Sequence, residues 1–150
     1  WCKQFNFKIY KKSLKLKLRI FCNWKYFTKN NHQLRNFRKL KIWEQGIVIV
    51  KEIYKIAQKL PSDEKFGLKS QITRAAVSIP SNIAEGSSRN SEVEFKRFLE
   101  IAIGSLFEVE TQLIIIQELN LIHSEELGNI FDLIATEGKM INGLINTIKN

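Results

Sequence analysis

The chain has 150 residues, of which 44% are hydrophobic and 26% are charged, a composition typical of one globular domain. Seven glycines and two prolines are too few for a loop-rich β-sandwich or a low-complexity linker. The longest apolar runs have four residues, which is too short for a membrane span or a secretory signal. We therefore expect a cytoplasmic protein without a membrane partner.

The net charge of +9 is concentrated in one segment. Residues 1–41 contain thirteen Lys or Arg and no Asp or Glu, whereas residues 42–150 contain eleven basic and fifteen acidic residues, a balance of −4. Both cysteines, Cys2 and Cys22, lie in the basic segment. The remainder of the chain can form no disulfide, which suits a reducing compartment.

We interpret residues 1–35 as a basic extension and residues 36–150 as the folded domain. Leucine and isoleucine alternate with basic residues over Lys11–Cys22, which predicts a basic amphipathic strand. Aromatic residues interleaved with lysines would suit a nucleic-acid-binding arm. The alternative is a poorly ordered extension that is not part of the native protein, with translation starting at Leu34.

From Lys41 onward the apolar spacing predicts four amphipathic helices. The first ends at Pro61 and carries two neighbouring apolar seams. The first seam comprises Ile42, Gly46, Ile49, Ile53, Ile56 and Leu60. The second seam comprises Trp43, Ile47, Val50, Tyr54 and Ala57. Two seams on one helix are more than a single partner helix requires.

The second helix is expected to begin near Phe66, after an acidic turn, and to end at Gly86. Its apolar and polar stripes both continue through Pro80, so we expect this proline to kink the helix without ending it. The predicted buried stripe is Leu68, Ile72, Ala75, Ile79 and Ile83.

Ser91 and Glu94 form a capping box that opens the third and longest helix. Its predicted seam is Phe95, Leu99, Ala102, Leu106, Val109, Leu113 and Ile116, flanked by further apolar residues at Phe98, Ile101, Ile103, Phe107 and Ile114. Ser124 is expected to cap the fourth helix. The predicted buried residues of that helix are Leu127, Ile130, Ile134, Ile141, Leu144 or Ile145, and Ile148. Short turns between the helices favour an all-α, antiparallel up-down four-helix bundle.

The residues needed for common enzymatic sites are missing from the sequence. His32 and His123 are its only histidines, too few for a di-iron pair, a histidine-based zinc site or a Ser/His/Asp triad. No phosphate-binding glycine motif occurs, and adjacent acidic residues point to different helix faces. We therefore expect no catalytic residue, no metal, no cofactor and no small-molecule substrate.

One polar stripe of the second helix allows two interpretations. Its members, at heptad-like spacing, are Gln71, Arg74, Ser78, Asn82 and Glu85. Such a stripe is either a solvated face or a contact with another copy of the chain, to which Arg74 and Glu85 would bring complementary charges.

Three blocks of sequence resemble a known bacterial family. They are Asn36–Glu44, the segment from Phe66 that includes the long string Arg74–Gly86, and Gly104–Leu106 followed by Glu108 and Glu110–Leu113. Over residues 35–150 the chain resembles the four-helix bundle proteins named for the 23S rRNA intervening sequence. The resemblance implies a ring-shaped homopentamer without enzymatic activity, and a related group binds nucleic acid and reverse transcriptase as a retroelement accessory protein.

The chain departs from this family at Ile103, where members often carry arginine, and its residues 42–150 are net negative. Two functions therefore stay open. The first is a non-catalytic oligomeric scaffold or adaptor. The second is a nucleic-acid-binding accessory factor whose candidate contacts are Lys69, Arg74, Arg89, Lys96 and Arg97.

Overall fold

A computed structural model of the chain describes residues 35–65 and 67–148, which belong to a unit spanning Leu34–Asn150. Within these residues there are four α-helices: α1 (Lys41–Lys59), α2 (Leu68–Ser87), α3 (Glu92–Glu118) and α4 (Gly128–Thr147). The described residues form no strand, and they fold as an all-α, antiparallel four-helix bundle. The strand predicted over Lys11–Cys22 and nearly all of the predicted basic extension lie outside the described residues.

The helices form a four-sided arrangement. Helix α1 packs against α2 and α4, and α3 also packs against α2 and α4. The α1–α2 pair and the α3–α4 pair therefore lie on opposite sides of the bundle. One continuous cluster of buried apolar side chains fills the space between the four helices.

The two seams predicted for α1 differ in burial. Every residue of the first seam is buried. In the second seam only Ala57 is buried, while Tyr54 keeps 47% of its surface exposed. The first seam therefore faces the core, and the second lies at the edge of the bundle.

Helix α2 continues through Pro80, as expected, and this proline is itself buried. A Cβ atom placed on Gly46 of α1 would lie 3.4 Å from the Cβ of Pro80, so the two helices meet closely here. The helix begins at Leu68, two residues after the predicted start, because Ser62–Lys65 forms a short 3₁₀ helix. The Glu64 carboxylate accepts a hydrogen bond from the Leu68 N–H at 3.0 Å and so satisfies a donor of the first turn.

The prediction that Gly86 ends α2 was wrong by one residue, since the helix includes Ser87. Gly86 does not have a positive φ angle. It is buried against α3, where an added Cβ would lie 2.6 Å from the Cβ of Phe98. The sequence therefore has glycine here because two helices approach closely, and not because the chain needs a left-handed turn.

Helix α3 has both of its ends defined by local hydrogen bonds. The Ser91 hydroxyl accepts a bond from the Glu94 N–H at 3.4 Å, as the capping box predicted. At the other end Asn120 has a φ of 52°, and the Leu121 N–H donates to the Ile116 carbonyl at 3.1 Å, which is a Schellman motif. All seven residues of the predicted seam are buried.

Helix α4 begins later than predicted. Ser124 opens a short 3₁₀ helix, Ser124–Glu126, and α4 starts at Gly128 without a side-chain cap, so the prediction that Ser124 caps α4 was wrong. Leu127, Ile130, Ile134, Ile141 and Ile145 are buried as expected. The same face also buries a carboxylic acid, Glu137, which the apolar pattern did not predict.

Candidate oligomer interface and nucleic-acid surface

The polar stripe of α2 is divided between the inside and the outside of the bundle. The Ser105 hydroxyl of α3 donates to the Ser78 Oγ at 3.0 Å, and the Asn82 side-chain amide donates to the same oxygen at 2.9 Å. Ser78 and Asn82 are half-buried. These two candidate interface residues therefore help to join α2 to α3 within one chain.

Glu85 also has a partner within its own chain. Its carboxylate pairs with the Arg89 guanidinium at 2.5 Å, four residues further along. Arg89 in turn lies over the Phe98 ring, with 4.7 Å between the guanidinium carbon and the ring centroid. A neighbouring subunit would have to compete with Arg89 for Glu85.

Gln71 and Arg74, the other two members of the stripe, are exposed. Arg74 lies at a shallow groove between α1 and α2 that is lined by Tyr54, Thr73, Val77 and Ser78. Both Tyr54 and Val77 are large apolar residues with much of their surface in solvent, 47% and 40% respectively. The outward part of the stripe thus combines a cation with exposed apolar surface.

The five nucleic-acid candidates do not form one cluster. Lys69 lies in the first turn of α2, while Arg89 follows its last turn; at 1.5 Å per helical residue they are about 30 Å apart. Arg74 lies between them. Lys96 and Arg97 lie near the start of α3, close in sequence to Arg89, and Arg97 is exposed. The structure therefore groups at most three of the five cations at one end of the bundle.

That end of the bundle holds two arginines with structural contacts. Arg35 lies over the Phe95 ring at 4.4 Å, donates to the Arg89 carbonyl at 3.1 Å and forms an ion pair with Glu92. With the Glu85–Arg89 pair, these contacts tie the residues before α1 to the turn between α2 and α3. Part of the local positive charge is thus already neutralised by acidic side chains.

A second exposed apolar surface lies on the opposite side of the bundle. Phe107 and Ile114 of α3 have exposed fractions of 56% and 47%. Phe107 and Glu110 line a shallow groove with α4 residues that include Gly138 and Lys139. On the apolar flank predicted for α3, Phe107 and Ile114 therefore face solvent within one chain, whereas Ile103 is half-buried against the core.

Glu137 is a buried acidic residue that the sequence pattern missed. Its side chain is fully buried, and neither carboxyl oxygen has a hydrogen-bond partner among the described residues. Burial raises its pKa to about 8, so the neutral acid is favoured in the folded chain at pH 7. The available signal was its position, three residues after Ile134 and four before Ile141, within the buried stripe.

The described residues also do not meet the requirements of a metal site or of a membrane span. Among the described residues no group of three or more His, Cys, Asp or Glu side chains is arranged to hold a metal ion. None of their helices has the length and apolar character needed to cross a membrane. His123 is exposed in the turn before α4, and Lys59 lowers the pKa of Glu126 by hydrogen bonding to it.

The four helices and the single buried cluster between them define an all-α, four-helix bundle protein. Residues 38–143 match the family described as 23S rRNA-intervening sequence protein. The chain belongs to this family, as its sequence blocks indicated.

A solved structure has the same fold. It is the crystal structure of a protein of unknown function from the S23 ribosomal protein family of Bacteroides thetaiotaomicron. The two share 24% sequence identity, with a TM-score of 0.66, over 71% of this chain and 99% of the other. No curated protein matches this chain at a significant level.

Proposed function

We propose that the protein is a cytoplasmic, non-catalytic scaffold or adaptor that works as a homo-oligomer, most simply a pentamer as the family resemblance implies. The observation that carries this proposal is the exposed apolar surface on two sides of a bundle whose core is already complete. Large apolar side chains in contiguous exposed patches mark interaction sites on soluble proteins.

Both grooves are shallow and open to solvent, and most of their exposed lining is apolar. Their polar side chains lie among these apolar surfaces and do not enclose a cavity; they include Arg74, Thr73 and Ser78 in the α1–α2 groove and Glu110, Lys139, Asn142 and Asn146 in the α3–α4 groove. A binding pocket for a ligand is concave and places several polar groups around it. The surfaces are better suited to contact a protein, which supports a scaffold over an enzyme.

Light scattering of the full chain at micromolar concentration tests the proposal. The expected mass is five times the 17.5 kDa of one subunit. Circular dichroism on the same sample checks that the helices are formed. A stable, fully helical monomer would contradict an obligate oligomer.

The alternative is a nucleic-acid-binding accessory factor, and the charge of residues 1–41 favours it, since they contain thirteen basic and no acidic residues. Fluorescence anisotropy with a labelled single-stranded RNA and a labelled DNA duplex, repeated at increasing salt, tests it. Contacts with phosphate make the affinity fall steeply with salt concentration. If neither nucleic acid binds even at low salt, the nucleic-acid-binding function is ruled out.

A further inference from the structure

Glu137 interrupts the buried apolar stripe of α4. The buried isoleucines of this helix flank it on both sides: Ile130, Ile134, Ile141 and Ile145. The Glu137 side chain is itself fully buried, and neither of its carboxyl oxygens has a hydrogen-bond partner among the described residues. Moving a polar group out of water without a replacement hydrogen bond is unfavourable. The central position of the stripe that holds α4 in the bundle therefore opposes burial.

No charged side chain of the packed helices compensates for the burial of Glu137. The residues that α1, α2 and α3 bury include none with an ionisable side chain. Glu110 of α3 and Lys139 of α4 lie at the outer groove between these two helices. Burial is the only cause that raises the pKa of Glu137, so neither of these charges contributes to the shift. Only contact with water would therefore favour the ionised form of Glu137.

The ends and the composition of α4 stabilise it less than those of α3. Leu127 gives α4 no side-chain cap, and the helix has no acidic residue in its first turn and no basic residue in its last turn. Helix α3 has Ser91 as its cap and acidic residues in its first turn. Gly128 and Gly143 lower the helix propensity of α4, although an added Cβ would meet nothing within 4 Å at either position. Helix α4 therefore depends more on packing than α3 does.

Polar side chains join α2 to α3, but within the described residues they do not join α4 to its neighbours. Ser105 donates to Ser78 across the α2–α3 contact at 3.0 Å. The side-chain hydrogen bond of α4, from Thr147 to the Leu144 carbonyl, stays within the helix, and no described residue of α4 forms an ion pair. The ion pair of Lys59 with Glu126 ties only the turn before α4 to α1. Apolar contacts thus hold α4 itself in the bundle.

We propose that α4 is a releasable helix, which detaches as a unit from α1 and α3 about the turn before it and does so in a step coupled to the ionisation of Glu137. Release brings the carboxyl into water, where it loses its proton, and uncovers the apolar faces of α1 and α3. Because one proton is lost on release, the released fraction should rise about tenfold per pH unit between the ordinary pKa of 4.5 and the pKa of about 8 in the bundle.

Amide hydrogen exchange of the full chain, resolved by helix, tests the proposal at pH 5.5, 6.5 and 7.5 and at one subunit concentration. Dividing each rate by the intrinsic rate of an unstructured peptide at the same pH leaves the contribution of structural opening. Glu137→Gln keeps the size of the side chain but has no proton to lose on release. Asp132→Asn is the matched control, because Asp132 is an exposed acid on the same helix.

In the parent and in Asp132→Asn, the opening of α4 should become about tenfold more frequent per pH unit. At pH 7.5 the amides of α4 should be at least tenfold less protected than those of α2 and α3. In Glu137→Gln the opening of α4 should not change with pH. If circular dichroism shows that Glu137→Gln does not fold, Glu137→Leu replaces it and must give the same pH-independent opening.

Equal protection of α2, α3 and α4 at every pH would show that the bundle opens only as a whole, and α4 would then not be a releasable helix. A pH dependence that persists after substitution of Glu137, or one that disappears in Asp132→Asn, would assign the titration to another group and overturn the proposal.

Discussion

Gly86 of α2 packs directly against Phe98 of α3: a Cβ atom on Gly86 would lie only 2.6 Å from the Cβ of Phe98. The atom that would be struck is next to the α3 backbone and cannot swing away as a flexible side-chain end could. The two helices are joined by a short turn, and Arg89 in that turn covers the Phe98 ring. A small residue at position 86 therefore sets the distance between the helices.

Gly86→Ala should destabilise the bundle. Overpacking typically costs about 1–3 kcal/mol, against which alanine regains up to about 1 kcal/mol of helix propensity. The matched control is Gly104→Ala in α3, where an added Cβ meets nothing within 4 Å and which lines neither groove, so propensity alone should act and stability should rise. Urea unfolding followed by circular dichroism measures both. Equal effects of the two substitutions would show that the contact with Phe98 is unimportant.

The helical periodicity predicted the core because burial in this bundle repeats with the helix turn. The first seam of α1 and the seam of α3 are buried at every predicted position. The periodicity of one helix does not predict how closely a second helix approaches it. Gly86 was interpreted as a helix stop, although its role follows from the approach of Phe98.

Two further differences have local causes. Ser124 was expected to cap α4, but the residues after it form a 3₁₀ helix first, so its hydroxyl is too early to cap the helix. Glu137 was omitted from the buried stripe because a search for apolar residues passes over an acid. By contrast, the Glu85–Arg89 ion pair could have been predicted from the sequence, because the two residues are four positions apart, as in other helical ion pairs.

The stability of the bundle should fall as the pH rises because of Glu137. Its pKa is about 8 in the folded chain, compared with 4.5 as its ordinary value. Below pH 4.5 the acid is protonated in both states and carries no penalty. Between pH 4.5 and 8 the unfolded chain ionises while the folded chain stays protonated, so stability falls by up to about 1.4 kcal/mol per pH unit and levels off above pH 8.

Glu137→Gln isolates this effect, because the amide has the same size but does not ionise. Urea unfolding of both proteins at pH 5, 7 and 9 provides the comparison. The difference between them should change steadily in favour of the glutamine variant as the pH rises. If the two proteins lose stability in parallel, the buried carboxyl is not the titrating group.

Ile72→Ala and Ile79→Ala should each destabilise the bundle by about 2–5 kcal/mol. Both side chains are fully buried in α2, so truncation removes apolar contacts and leaves a cavity. Thermal unfolding of each variant, at the same subunit concentration as the parent, measures the loss. Substitutions at exposed positions usually change stability by less than about 0.5 kcal/mol. A change that small would place Ile72 and Ile79 outside the core.

Removing residues 1–33 should leave the melting temperature unchanged. The buried cluster of the described residues runs from Ile42 to Ile145, and the contacts of Arg35 with Phe95, Arg89 and Glu92 are retained in residues 34–150. Differential scanning calorimetry of both chains at equal subunit concentration is the measurement. A lower melting temperature after truncation would mean that the basic segment contributes to the folded domain.

Arg74→Ala and Arg97→Ala separate the two proposed functions, because both arginines are exposed but lie on different helices. If both arginines only face solvent, either substitution should change the free energy of unfolding by no more than about 0.5 kcal/mol and leave the oligomer intact. Arg74 lies in the groove between α1 and α2, so if that groove is a contact between copies and Arg74 pairs with a carboxylate of the neighbour, its removal weakens the oligomer. Arg74→Ala should then dissociate at higher protein concentration than the parent while its helicity is retained, and Arg97→Ala should behave as the parent. If instead Arg74→Ala keeps its full mass on dilution and Arg97→Ala loses salt-sensitive RNA binding, the nucleic-acid function is favoured over the scaffold.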